Sequence, residues 1–229
     1  MIGYSLEYEK YVDYADHIIF PSEHMEKYYS LSSLDESKHV CLGSPKYDVV
    51  LEKEEIYKKY DIKDPQKKRV LIVLPKRRDI NKIDFKILYE AFKELNFEII
   101  SKTRGKDPFD KQHQGDKYVV DFSWFPHDTM EVMKISDVVV NFGSTTIKEC
   151  VMLKKPIINF NVKPFDDCFS ALYNYDYCEN FNKNPTKEQL KESINRLTSN
   201  SYEKEFDEAI QKYLFSGNSS KRILDFLGT

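Results

Sequence analysis

Short apolar runs alternate with amphipathic stretches along nearly the whole chain, as strands alternating with helices would. The continuous runs at 70–74 (VLIVL), 138–140 (VVV) and 157–160 (IINF) suit strands covered on both faces of a parallel sheet. Weaker apolar runs predict strands at 17–20, 39–42, 97–101 and 117–121. Helical patterning predicts helices at 22–29, with Ser22 as cap, and at 52–60, 84–95 and 128–135. The pattern loosens through an aromatic, asparagine-rich stretch at 161–183, and three helices close the chain at 187–199, 202–214 and 219–227. The sum is an α/β expectation: a Rossmann-like parallel sheet with helices on both faces. The charged, proline-bearing segment 61–68 reads as a connector, and 65–69 as the entry to a domain.

Residues 136–160, SDVVVNFGSTTIKECVMLKKPIINF, are the most informative stretch. They predict a buried strand, a glycine turn at Gly143, a short helix opened by Ser144, Thr145 and Thr146, and a second buried strand. A helix start at the carboxyl end of a parallel strand turns unpaired backbone N–H groups toward a crevice where phosphates bind. Two readings stand side by side here. In one, the N–H groups of residues 144–146 hold a phosphate and Glu149 reaches ribose hydroxyls. In the other, Thr146-Ile147-Lys148-Glu149 is only a capping box, with Glu149 folded back on the turn.

Two basic stretches bear on that choice. The strand at 70–74 runs into Pro75-Lys76-Arg77-Arg78, and the strand at 97–101 into Lys102-Thr103-Arg104-Gly105-Lys106. Parallel strands share one carboxyl edge, so these cations and the Gly143 turn lie on one rim, where charge-assisted bonds to a diphosphate are strong. Lys76, Arg77, Lys102 and Arg104 are the candidates, whereas Arg78 and Lys106 read as solvated. Phe125 or His127, in the next rim loop, would border a base, or His127 simply sits at a helix cap.

Composition narrows the partners. The chain has 229 residues, 32% of them charged, and a formal net charge of −3, so nothing predicts whole-surface binding to nucleic acid. Mean hydropathy is −0.60 and the apolar runs are only strand-sized, which leads us to expect a cytoplasmic protein without a spanning segment or signal peptide. Cys41, Cys150, Cys168 and Cys178 are scattered, and the five histidines show no ligand spacing, so neither disulfides nor a metal are expected.

The order of motifs resembles the second half of GT-B-type sugar-nucleotide enzymes. The resemblance runs from about residue 15 to 227. It rests on ADHIIFPSEHMEKYY, HVCLGSPKYD, the K-x-R after a strand, the 136–160 block and the closing SGNSSKRILDFL. The chain is most similar to bacterial surface-polysaccharide glycosyltransferases, and more distantly to CDP-glycerol glycerophosphotransferases and UDP-N-acetylglucosamine 2-epimerases. Where epimerases carry Asp-Ser-Gly-Gly, this chain has Asn141-Phe142-Gly143-Ser144.

The resemblance implies a GT-B carboxyl-terminal domain that binds the nucleotide diphosphate of an activated sugar donor. Gly143, Ser144, Thr145 and Thr146 would meet the phosphates, Glu149 the ribose, and Lys102 and Arg104 the charge on the leaving diphosphate. It implies no metal or other cofactor. Residues 1–64 would be a remnant of the amino-terminal domain and linker, and residues 65–229 the donor-binding domain. The acceptor and catalytic base would belong to an amino-terminal domain missing here, supplied in cis or trans, so the chain alone would bind nucleotide without turnover. The acceptor could bring peripheral membrane association. Sugar-nucleotide epimerisation, glycerophosphotransfer and a non-catalytic binding module are the alternatives.

Overall fold

The structure is a computed structural model that describes residues 15–29, 36–104, 109–121, 127–162, 169–214 and 217–228. It divides into two compact units: residues 51–206, and residues 1–50 together with 207–229.

The unit 51–206 is built on one sheet of parallel strands: β3 Arg69–Val73, β4 Glu98–Arg104, β5 Lys117–Asp121, β6 Val138–Asn141, β7 Ile157–Phe160 and β8 Cys178–Phe181. Their order in the sheet is β5-β4-β3-β6-β7-β8, all parallel. The chain winds outward from β3 through β4 to β5, then crosses back to β6 beside β3 and winds the other way. That reversal is the topological switch point of a doubly wound sheet. At its centre Val70, Leu71 and Ile72 pair with Val138, Val139 and Val140. All six side chains are fully buried, and each such aliphatic group contributes about 1.5–3 kcal/mol by leaving water.

Among the described residues, five helices flank this sheet: α2 Lys53–Lys59, α3 Phe85–Glu94, α4 His127–Lys134, α5 Ile147–Met152 and α6 Lys187–Ser199. Right-handed crossovers that run in opposite directions from β3 place α3 on one face and α4 and α5 on the other. Local chemistry sets the helix starts. Asp84 accepts the Ile87 N–H at 3.1 Å, and Thr186 and Gln189 form a full capping box. Glu94 of α3 pairs with Lys187 and Lys191 of α6, while Lys59 and Tyr60 reach Asp128 and Glu131 of α4.

Two expectations need correction. β4 runs on to Arg104, because residues 102–104 pair with 119–121 of β5 and so belong to the sheet rather than to a rim loop. β8 lies inside the stretch read as loose. Cys178-Glu179-Asn180-Phe181 is an edge strand whose outward positions are polar, so no apolar run announces it.

In the other unit, β1 Ile18–Phe20 pairs in parallel with β2 His39–Cys41, and α1 Glu23–Tyr29 follows β1. Ser22 caps α1, its hydroxyl accepting the Met25 N–H at 3.2 Å. Two motifs far apart in sequence meet here. Asp48, closing Gly-Ser-Pro-Lys-Tyr-Asp, accepts the Ser219 and Ser220 N–H groups at 3.1 and 2.6 Å and so caps the final helix, Ser219–Leu227. Gly43, at φ +89°, lies so close to Ser219 that a Cβ on it would sit 2.3 Å from Ser219 Oγ. The helix Glu203–Tyr213 begins in the larger unit and ends in this one.

Candidate functional site

The switch point sets the loops after β3 and β6 side by side at the carboxyl edge of the sheet. Leu74 closes β3 by donating its N–H to Lys102 O at 2.9 Å, and Pro75 turns the chain out. Lys76 and Arg77 are exposed and make no ion pair with a described residue. Arg78, read as solvated, lies 3.6 Å from buried Asp79, which also takes Lys82 at 2.6 Å.

The turn after β6 is held from below. Gly143 sits at φ +56° and donates its N–H to Asn159 Oδ1 at 2.9 Å. The Ser144 carbonyl accepts from the Tyr173 hydroxyl at 2.7 Å, from Asn141 Nδ2 at 3.3 Å and from the Ile147 N–H at 3.2 Å. In a trans peptide the next N–H points opposite to that carbonyl, so the Thr145 N–H faces away from the buried amides. Neither the Ser144 nor the Thr145 N–H donates to a described residue. Thr145 is exposed and Ser144 half-buried. The turn therefore presents donors at the rim while its acceptors are consumed underneath.

The capping-box reading of Thr146 to Glu149 is not realised. Thr146 has helical backbone angles and makes no side-chain cap bond. Ser144 does the capping, its hydroxyl accepting the Thr146 N–H at 3.4 Å and lying 3.1 Å from Thr146 Oγ1. α5 has only six residues, so its dipole adds little to what the turn amides supply. Glu149 is 5% exposed and lies among fully buried Ile147, Cys150 and Val151. Burial first, and then the Glu149 carboxylate, push the Cys150 thiol far up, which makes it an inert core residue.

Lys102 is 4% exposed, and its ammonium lies 2.9 Å from Asp121 of β5. Thr129 of α4 donates to the same carboxylate at 3.0 Å. The Lys102 charge thus reaches the rim already paired. Arg104 ends β4 and His127 opens α4, but their side chains lie outside the described residues, as does all of Phe125.

A hollow of about 750 Å³ opens along α3, lined by Asp84, Phe85, Tyr89, His113 and Asn184 among others. None of the site residues expected from sequence lines it. Burial lowers the His113 pKa, and its ring packs edge-on against Phe85 at 5.2 Å. Among the described residues no group of three His, Cys, Asp or Glu side chains is placed to hold a metal ion, and no helix is long and apolar enough to cross a membrane.

Sequence reasoning missed Asn141, Asn159 and Asn180 as parts of the site. A signal was present: Asn141 ends β6, Asn159 lies on β7 with Asn161 just past its end, and Asn180 lies on β8 with Asn182 just past its end. Two-residue spacing in extended chain puts each pair on one side. The register then sets Asn141 beside Asn159 and Asn159 beside Asn180.

No family model matches this chain, and no curated protein matches it. Solved structures do. The wall teichoic acid polymerase TagF superimposes with a TM-score of 0.65 at 17% identity, over 99% of this chain and 60% of that one. The Methanocaldococcus jannaschii UDP-GlcNAc 2-epimerase, in complex with UDP-GlcNAc and UDP, gives 0.56 at 13%, over 93% and 61%. The glycotransferase of kitacinnamycin gives 0.57 at 14%, over 93% and 54%. The chain thus spans between 54% and 61% of the length of these proteins. From the strand order to the paired loops at the switch point, it has the Rossmann-like fold of the carboxyl-terminal half of GT-B-type sugar-nucleotide enzymes.

Proposed function

We infer that this chain is the donor-binding part of a GT-B glycosyltransferase, one that takes a sugar from a nucleotide-sugar in cell-surface polysaccharide or glycolipid synthesis. One observation carries the reading. Among the described residues, the Ser144 and Thr145 N–H groups stand undonated at the switch point, beside a loop with two unpaired cations, Lys76 and Arg77. Backbone donors, a positive φ and long cationic side chains on one rim are what a diphosphate needs. Fold neighbours bound to UDP-GlcNAc, UDP and CDPG lend support by analogy.

In this reading the diphosphate meets residues 143–146, with Lys76 and Arg77 closing over it. Glu149 serves the ribose from within α5, Arg104 meets the diphosphate from the end of β4, and Phe125 and His127 serve the base. Lys102 acts as a buried pair with Asp121 and steadies the ends of β4 and β5 beneath the leaving group. A separate acceptor domain, in cis or trans, supplies the base, and the partial coverage of the neighbours supports that division. Transfer of a glycerol phosphate unit is the second reading, favoured by the higher TM-scores to the teichoic acid polymerase, 0.61–0.66 against 0.56–0.57.

Isothermal titration with UDP, GDP and CDP tests the inference. At least one should bind with a Kd of roughly 1 mM or tighter, and Lys76→Ala with Arg77→Ala should weaken it about tenfold or more, since hydrogen bonds to charged groups contribute ~1.5–3 kcal/mol. Absence of binding by all three, or binding indifferent to the double substitution, overturns it.

A further inference from the structure

We propose that the amide network running from Asn180 at the exposed sheet edge to the buried Asn159 and Asn141, joined to the Tyr173 hydroxyl, is a positioning device that sets the Gly143–Thr145 turn for a phosphate group. The proposal rests on the donor-binding reading and names residues which that reading does not use.

The network has one direction. Asn180 on the edge strand β8 donates its amide to Tyr173 O at 2.7 Å and so fixes the backbone of the 3-10 segment Ser170–Asn174. Asn180 Oδ1 in turn accepts from Asn159 Nδ2 at 3.0 Å, and Asn161 Oδ1 accepts from the same nitrogen at 2.7 Å. Both hydrogens of the Asn159 amide are then used, and its oxygen is forced toward the turn. There it accepts the Gly143 N–H at 2.9 Å, with Asn141 Nδ2 at 3.4 Å. Turning that amide over would set its NH2 against the Gly143 N–H and its oxygen against two others. The orientation of Asn159 is therefore set by Asn180 of β8 together with Asn161 just past the end of β7, both away from the turn.

Tyr173 completes the hold. Its hydroxyl accepts from Asn141 Nδ2 at 2.7 Å and donates to Ser144 O at 2.7 Å. The carbonyl clamped in this way belongs to the peptide whose N–H is Thr145, one of the two rim donors.

A second observation separates this arrangement from ordinary core satisfaction. Asn141 is fully buried, and its Oδ1 has no hydrogen-bond partner among the described residues. Both of its hydrogens go to turn-side acceptors while its own acceptor stays empty. A valine would continue the run of β6 without leaving any orphan, so packing alone gives no reason for an amide here. Preset donors stabilise an anion without reorganisation at the moment it arrives, which is the gain such a device provides.

The test uses the full chain with Tyr173→Phe and Asn159→Asp. The first removes the hydroxyl link at almost constant volume. The second keeps the shape but abolishes the donation to Asn180 and Asn161 and places a negative charge under the phosphate. Amide exchange should rise at least tenfold at Gly143 and Ile147 in Tyr173→Phe, while Val139 and Ile158 in the strands keep their protection. Titration with UDP and CDP should show at least tenfold weaker binding of whichever binds the wild type, and a larger loss for Asn159→Asp. Equal acceleration at the strand amides would mean a general structural role and overturn the proposal, as would unchanged exchange at Gly143 and Ile147. Loosened turn amides with a Kd within twofold of wild type would overturn it too. If neither nucleotide binds the wild type, the donor-binding reading fails, and the exchange arm still decides whether the network holds the turn.

Discussion

Lys102 Nζ lies 2.9 Å from Asp121 Oδ2, and both side chains are only 5% exposed, Lys102 inside β4 and Asp121 at the end of the adjacent β5. A charge so placed is tolerated because its partner removes the need for water, so breaking the pair should cost more than the pair contributes. Lys102→Met is expected to destabilise the protein by ~3–5 kcal/mol, the usual cost of stranding a buried charge. Adding Asp121→Asn should recover most of that, since the amide oxygen still accepts from Thr129 without a charge. Urea denaturation of the two variants measures the difference. A double variant no more stable than the single one would show that the charge was never the issue.

Arg69 plays a comparable role at the opposite, amino-terminal edge. It is 2% exposed, donates Nε to Glu98 at 2.8 Å, and reaches the carbonyls of Asp64 and Pro65. Its guanidinium also stands 5.4 Å from the Tyr57 ring. A lysine cannot serve three acceptors in one plane, so Arg69→Lys should behave as a disruptive change. Loss of ~2 kcal/mol or more in denaturation is expected, about what losing one or two bonds to a charged group removes. A loss within ~0.5 kcal/mol, typical of neutral surface changes, would count against this account.

Lys155 gives the protein a pH dependence with a definite sign. Burial lowers its pKa from 10.5 to about 8, against a bond from Nζ to Ser136 O at 2.7 Å. Between pH 8 and 10.5 the unfolded chain holds a proton that the folded chain has released, so stability rises with pH through that window. The stability of wild type relative to Lys155→Met should therefore grow by up to ~3 kcal/mol from pH 8 to 10.5, because each tenfold change in proton affinity corresponds to ~1.4 kcal/mol. A flat difference across the window would contradict it.

Gly43 should tolerate no side chain. Its φ of +89° disfavours any other residue, and a Cβ would meet Ser219 Oγ at 2.3 Å. Gly43→Ala is expected to cost at least ~1–2 kcal/mol for the backbone alone. Ser219→Gly in the same chain should return the steric part and leave the backbone part. Thermal melts of the single and double variants separate the two.

The elements legible in the sequence are those whose stability is local or purely apolar. β3, β6 and β7 announce themselves because strands buried on both faces need unbroken apolar runs, and Ser22 is legible as a cap because capping is a local bond. β8 was hidden because Asn180 holds its place through amide bonds to β7 and Tyr173, and a hydrophobic pattern carries no trace of such bonds. Lys102 looked like a loop cation because its partner lies 19 positions away on a strand whose register cannot be read from composition. The position of the Gly143 turn was readable from a valine run followed by glycine. Its support was not, because Tyr173 reaches it from 29 residues downstream.

The cap that Asp48 places on the closing helix joins positions 171 apart. During synthesis that bond cannot form until residues 219 and 220 have emerged from the ribosome. Residues 51–206, with every strand of the large sheet in hand, are complete well before then. Synthesis should accordingly produce a folded sheet domain while the Gly43 turn and the Asp48 carboxylate still wait for Ser219 and Ser220. Closing a loop of that length adds only a logarithmic entropy cost, but it places this bond late in folding. A chain truncated before Ser219 would leave the large sheet intact and the Asp48 cap unmade.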